Sequence, residues 1–156
     1  MEMSRAASYA FHALAYMAQM KTNNPVQSHR IAEERGIPKR FLLKVLKPLV
    51  DARILDSVKG PSGGYRLARG AGETRISDII LAVDEPIRAT RCAPGAPVGC
   101  RGNKSRCLTH DLWEELGNQI HLYLSSVSLA DVVERRVLGS SGVGLPAPRD
   151  PAVAAQ

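Results

Sequence analysis

The sequence predicts a mainly α fold with one small β ribbon and a long helix near its end. Three observations lead there. Apolar residues recur at helical spacing through most of the first 50 positions and again from Leu108 to Val127. Two short strand-like runs, Ile54–Val58 and Tyr65–Ala68, flank the hexapeptide Lys59-Gly60-Pro61-Ser62-Gly63-Gly64. The whole chain is 156 residues with 44% apolar and 23% charged positions, enough for one modest core and one domain with an appendage.

The first helix is expected over Ser4–Lys21, with Tyr9, Ala13, Tyr16 and Met17 on one face. Thr22-Asn23-Asn24-Pro25 breaks it. Ser28 is the expected N-cap of a short second helix, and Arg35-Gly36 ends it, because glycine tolerates the left-handed conformation at a helix terminus. Ile37-Pro38 opens a third helix, with Pro38 in its first turn. There Phe41, Leu42, Val45, Leu46 and Leu49 form an apolar stripe, while Lys39, Arg40, Lys44 and Lys47 project from the remaining surface. Pro48 is expected to bend or end this helix. The two strand-like runs with their Gly/Pro punctuation then read as a hairpin. A short helix, a turn, a basic helix and a two-stranded ribbon together make a winged helix-turn-helix, whose basic helix enters the DNA major groove.

Ile76–Val83 reads as a fourth helix led in by Thr74 or Arg75. Pro86–Arg106 has no apolar periodicity and reads as a loop, long enough to imply a function. Leu108–Val127 is a long helix with Leu112, Leu116, Ile120 and Leu124 every four residues. Only one small helix follows, capped by Ser128, so the long helix is expected to find part of its apolar partner surface on a second subunit. From Gly139 the chain is rich in Gly, Ser, Pro and Ala, which reads as a disordered tail.

Charge separates these parts. Residues 1–70 hold 12 Lys and Arg against 5 Asp and Glu, while the rest hold 9 against 10. The basic surplus therefore lies in the helix-turn-helix half, which points to a polyanionic partner there. Aromatic residues are only 4%, which disfavours single-strand binding on stacked aromatic platforms. No apolar run approaches the ~18 residues of a membrane span. The apolar run Ala6–Ala18 after Arg5 resembles a secretory leader, but Glu2, Ser8, His12 and Gln19 interrupt that pattern, and a cytoplasmic protein is expected. Four dispersed histidines and two surface carboxylate pairs, Glu33-Glu34 and Glu114-Glu115, offer no catalytic arrangement, so an enzyme is not expected. The Gly-rich hexapeptide joins two strands and lacks the strand-to-helix setting and Lys-Ser/Thr ending of a phosphate loop.

The chemistry-bearing feature is the run Cys92, Cys100, Cys107 and His110, spaced C-x7-C-x6-C-x2-H. Thiolate and imidazole donors suit zinc or iron–sulfur centres. A Gly/Pro loop lets distant sulfurs converge, and Arg91, Arg101, Lys104 and Arg106 would lower thiol pKa values and offset an anionic cluster. The tight C-x2-C knuckle of zinc fingers is absent. On spacing alone a redox thiol pair and three cysteines without a special role remain alternatives, and a zinc-bound structural or interaction module is a further rival.

Taken together, these residues resemble the iron–sulfur winged-helix regulators of the IscR/NsrR type. The likeness spans about residues 3–137. It rests on Ser57-Val58-Lys59-Gly60-Pro61-Ser62-Gly63-Gly64-Tyr65-Arg66-Leu67, on Ala82-Val83-Asp84-Glu85, on Ala89-Thr90-Arg91-Cys92 and on Cys107-Leu108-Thr109-His110-Asp111-Leu112-Trp113. The last two segments resemble the IscR members in particular. The resemblance implies a homodimer built on the long helix, double-stranded DNA with an approximately palindromic operator as partner, and one cluster per subunit that alters DNA affinity with iron–sulfur, redox or nitric oxide status. It implies Cys92, Cys100, Cys107 and His110 as ligands of a [2Fe–2S] centre, with [4Fe–4S] the alternative because the cysteine gaps are longer than those of IscR members. Ser8 stands where NsrR members carry an acidic ligand from the partner's first helix, and His12 lies one turn further. Leu43 stands where IscR members carry an acidic residue.

The resulting layout is a winged helix-turn-helix DNA-binding region at 1–84, a cluster-binding loop at 85–107, dimerisation helices at 108–138 and a tail at 139–156. The candidate DNA-binding residues are Arg5, Ser28, Pro38, Lys39, Arg40, Lys44, Lys47, Lys59, Gly60, Ser62 and Arg66. Lys59 falls where the family has a basic wing residue aimed at the minor groove.

Overall fold

The computed structural model describes residues 3–84 and 110–136. Helix α1 (Arg5–Gln19) starts where the Ala7 N–H donates to Ser4 Oγ at 3.1 Å. It stops short of the expected end, and Lys21 turns into the left-handed region at φ 47°. Its buried residues are Ala7, Ala10, Ala13, Leu14 and Met17. Tyr9 and Tyr16, expected on the buried face, lie half-buried and pack against the edge of the core. That small-residue face packs against most of the other elements, so α1 is the central strut.

Helix α2 (Ser28–Arg35) places Gln27, not Ser28, at its N-cap. Ser28 is the first helical residue instead. The Gln27 side chain makes no cap hydrogen bond and is used elsewhere. Gly36 closes the helix at φ 61°, with the Ile37 N–H donating to the Ala32 carbonyl at 2.9 Å. Helix α3 (Lys39–Asp51) follows at once. Pro38 is its N-cap rather than a first-turn residue, and its carbonyl accepts from Phe41 and Leu42 N–H at 2.9 and 3.1 Å. Pro48 does not stop the helix, which runs three residues further. The carbonyl that Pro48 cannot serve belongs to Lys44, an exposed residue.

Strands β1 (Leu55–Val58) and β2 (Gly64–Leu67) form an antiparallel hairpin, with β2 one residue earlier than its apolar run suggests. Leu55 faces Leu67, Asp56 faces Arg66, Ser57 faces Tyr65 and Val58 faces Gly64. A third, single-residue rung joins Val26 to Tyr65, each N–H donating to the other carbonyl at 2.8 Å. This rung fixes the hairpin to the segment leading into α2.

Helix α4 (Ile76–Val83) matches its expected bounds. Helix α5 (His110–Ser126) packs on α4, and α6 (Leu129–Val133) packs on α1. The junction between α5 and α6 hooks onto the segment before α4. Ile76 N–H donates to Val127 at 3.0 Å, Leu129 N–H to Thr74 at 2.8 Å and Ala130 N–H to Ala71 at 3.0 Å. Ser128 caps α6 in a reciprocal box with Asp131, as its position suggests. One core results, with Leu14, Ile31, Leu42, Leu46, Leu49, Ile54, Leu55, Ile79 and Leu129 fully buried. No helix among the described residues is long and apolar enough to cross a membrane.

The rung at Tyr65 explains a glycine. Gly64 sits at φ 155°, and a Cβ there would lie 2.3 Å from the Val26 carbonyl oxygen. Gly36 is also left-handed but has open space around it. Gly64→Ala should therefore cost about 3 kcal/mol of stability through strain and backbone collision. Gly36→Ala should cost about 1 kcal/mol, the left-handed penalty alone. Urea denaturation midpoints of the two variants check this order.

Candidate nucleic-acid interface

Helix α3 carries two opposite stripes. Leu42, Val45, Leu46 and Leu49, spaced i, i+3, i+4 and i+7, are buried. Arg40, Leu43, Lys44 and Lys47 repeat the same spacing half a turn away and are exposed. Lys39 and Pro38 are exposed at the helix start. Phe41, expected in the buried stripe, is instead 38% exposed on its edge. Its ring lies between Tyr9, at 6.4 Å between centroids, and the Arg40 guanidinium, at 4.7 Å. Arg40, an exposed residue, is thereby held over a ring.

The wing tip, Lys59 to Ser62, is exposed. Gly60 takes φ 114°, and the Gly63 N–H donates back to the Gly60 carbonyl at 2.9 Å, which closes the tip. Gln27 then explains its missing cap bond, because its Nε2 donates to the Pro61 carbonyl at 3.0 Å. The wing is thus tied to the start of α2 twice, along strand β2 by Val26 at Tyr65 and at its tip by Gln27. The sequence reading missed Gln27, since nothing local marks a contact between residues 34 apart.

Not every expected cation is equally available. Lys39, Lys44 and Lys59 make no ion pair among the described residues. Lys47 meets Asp51 at 3.3 Å, one turn along α3. Arg66 meets Asp56, its cross-strand neighbour, at 3.4 Å. Arg69 is held by Asp78 at 2.7 Å. Arg5 is exposed at the first residue of α1, and Ser28 is half-buried at the first residue of α2. The surface therefore presents α3 and the wing tip as two basic projections on one rigid frame, with two of the expected cations partly neutralised.

Cys92, Cys100 and Cys107 lie outside the described residues, as does the tail from 139. His110 is the first residue of α5. Among the described residues, no group of three or more potential ligands could hold a metal ion. Beyond His110, α5 exposes Leu112, Trp113, Leu116 and Leu122. A helix with so many bare apolar side chains along it is unusual for a monomer.

Residues 3–135 match the Rrf2 family, described as iron-dependent transcriptional regulators. The chain belongs to the Rrf2 family. It is 37% identical over 136 residues to the helix-turn-helix-type transcriptional regulator IscR of Xenorhabdus nematophila, covering 87% of this chain and 81% of that one. IscR of Photorhabdus laumondii shows the same identity and coverage. Among solved structures, T. potens IscR aligns with a TM-score of 0.68 at 25% identity, over 92% of this chain and 94% of that one. CymR, the global cysteine regulator of B. subtilis, aligns with a TM-score of 0.70 at 21% identity, over 86% and 98%, and so shares the fold. This Rrf2 chain is accordingly a transcriptional regulator of winged-helix architecture and not an enzyme.

Cations that touch phosphate contribute to the salt dependence of binding at about 0.9 per contact. Lys44→Gln should flatten the slope of log affinity against log salt by about that amount for each protomer bound. Lys47→Gln should flatten it less, because Asp51 already offsets that charge. Fluorescence anisotropy on a duplex between low and moderate salt distinguishes the two.

Proposed function

We propose that this Rrf2 protein acts as a homodimeric DNA-binding regulator whose affinity for an approximately palindromic operator is controlled by an iron–sulfur cluster. In this reading Cys92, Cys100, Cys107 and His110 hold the cluster, with [2Fe–2S] the preferred type. Three thiolates and one imidazole form a donor set suited to such a centre. When bound, the cluster supplies a group that is labile to oxidants, nitric oxide and iron loss.

The observation that carries the proposal is the position of His110. It opens α5, and α5 rests on α4, which in turn packs on both α1 and α3. A constraint applied at the start of α5 therefore bears on the layer beneath α3. The exposed apolar residues Leu112, Trp113 and Leu116 lie in the same first turns, where a second copy would cover them. Two copies of α3 must be one helical repeat apart to enter successive major grooves on one face of a duplex. A small change in how α5 seats against its mate then alters that spacing. A tenfold change in affinity needs only about 1.4 kcal/mol of difference between the two arrangements. Lys39, Arg40, Lys44 and Lys59 would supply phosphate contacts, with Pro38, Gly60, Ser62 and Arg66 at the edges of the same surface and Arg5 and Ser28 at adjacent helix starts.

Anaerobic isolation tests the cluster. A brown protein with stoichiometric iron and sulfide is expected, and Mössbauer spectra separate [2Fe–2S] from [4Fe–4S]. A colourless protein that binds specific DNA would favour a cluster-free thiol switch, and a zinc-loaded one without sequence preference a structural module. The Cys92→Ala, Cys100→Ala, Cys107→Ala variant should lose both the colour and the redox dependence of DNA affinity. If it binds DNA as the holo protein does under every redox condition, cluster control is wrong.

The dimer has its own check. Leu116 is 42% exposed, so Leu116→Glu leaves the described core intact. Burying two such carboxylates in a dimer interface is costly. Sedimentation should show a shift from dimer toward monomer and a loss of operator affinity of at least a hundredfold, with little change in the melting of the monomer.

A further inference from the structure

Leu43 occupies the middle of the exposed stripe of α3, with Arg40 one turn before it and Lys44 and Lys47 beside and after it. It is 41% exposed and belongs to no part of the core. An aliphatic side chain at the centre of a basic face gains nothing from water, and cannot serve a phosphate. Resting on the proposal that α3 enters a DNA major groove, we infer that Leu43 is a base-reading residue that packs on the C5-methyl group of thymine. The major groove displays one apolar group, that methyl, and an apolar side chain is its matching reader. The neighbouring cations reach phosphates and fix the register, but phosphate contacts carry no base identity. Leu43 cannot hydrogen-bond to guanine, cytosine or adenine edges. At its position the protein selects thymine by contact and disfavours bases whose polar edge would be left facing a leucine.

The geometry favours this over a purely solvated leucine. The stripe opposite Leu43 is anchored by four buried residues, so its direction is set by the core. Arg40 is held over the Phe41 ring, and Leu43 itself stays exposed within the stripe. No other large apolar side chain shares the stripe, so one thymine, or two adjacent ones, is expected in each half-site.

The test uses the full-length holo protein. A preferred operator is selected from a pool of random duplexes, and each thymine is then replaced singly by deoxyuridine, which removes only the methyl group. Binding of the native protein should weaken about fourfold per half-site at one or two positions, the effect of one buried methyl. Leu43→Ala, a change at an exposed site, should bind more weakly to the parent operator and show no further loss with deoxyuridine there. Its salt slope should equal that of the native protein, since no charge is altered. An equal loss for both proteins, or no position sensitive to deoxyuridine, would overturn the assignment of Leu43 while leaving DNA binding in place. Failure of the native protein to select any duplex would overturn the reading on which it rests as well.

Discussion

Burial of Leu42, Val45, Leu46 and Leu49 sets the rotation of α3 about its own axis, and the rest of the surface follows from that. The four side chains are buried against α1, α2 and α4 in one continuous core. Turning the helix by half a revolution would bring all four into water, at a cost of roughly 6–12 kcal/mol. Surface charges have no comparable influence. The exposed Lys47–Asp51 pair contributes at most about 0.5 kcal/mol. The core thus decides where Arg40, Leu43 and Lys44 point, and a partner meets side chains whose direction was fixed during folding. A rigid reading surface loses little entropy when it binds.

The wing obeys a different constraint, one of close backbone approach. A two-stranded ribbon alone is marginal in water. Here the Val26 rung adds two hydrogen bonds, and both Gly63 and Gly64 have backbone atoms where a Cβ would have to be. Gln27 adds a bond to the tip and gives up its local capping role. The outcome is that Lys59 stands at a defined height relative to α3, although it lies on a loop. The wing is tied to the residues that begin α2, and α2 packs against α3, so the two projections share one support.

Much of this was legible in the chain. The opposed stripes of α3, the Gly/Pro hairpin, the bounds of α4 and the Ser128 cap all rest on spacing or on one residue's chemistry, which sequence displays directly. What failed did so because tertiary contacts outweighed local preference. Phe41 satisfied the apolar periodicity but met Tyr9 at the rim, since Leu42 and Leu46 already filled the space against α1. Ser28 had the chemistry of a cap, yet the chain turned one residue earlier, at Gln27. The single rung at Val26 carries no alternation, so no strand pattern could announce it. The basic residues were visible as a cluster, but their neutralisation by Asp51 and Asp56 depends on helix and strand register. The cysteine run was legible as donor chemistry, and its positions fall outside the described residues.

These constraints bear on how control could reach DNA. Helix α3 and the wing share the support of α2 within one protomer, so the proposed signal would pass through α5 and α4 to the placement of that whole unit. In the proposed dimer the leverage would lie between protomers, where α5 exposes Leu112, Leu116 and Leu122. Helix α5 is anchored at its far end, where Val127 and Leu129 hydrogen-bond to the segment before α4. Its first turns carry the uncovered apolar residues and begin at His110. Helix α5 is held at its far end and packs on α4, and its first turns, next in sequence to the cysteine run, are where the proposed cluster would act. The proposed switch therefore need not deform the reading surface at all; it need only change the distance between two copies of it, to which a duplex with fixed helical repeat is acutely sensitive.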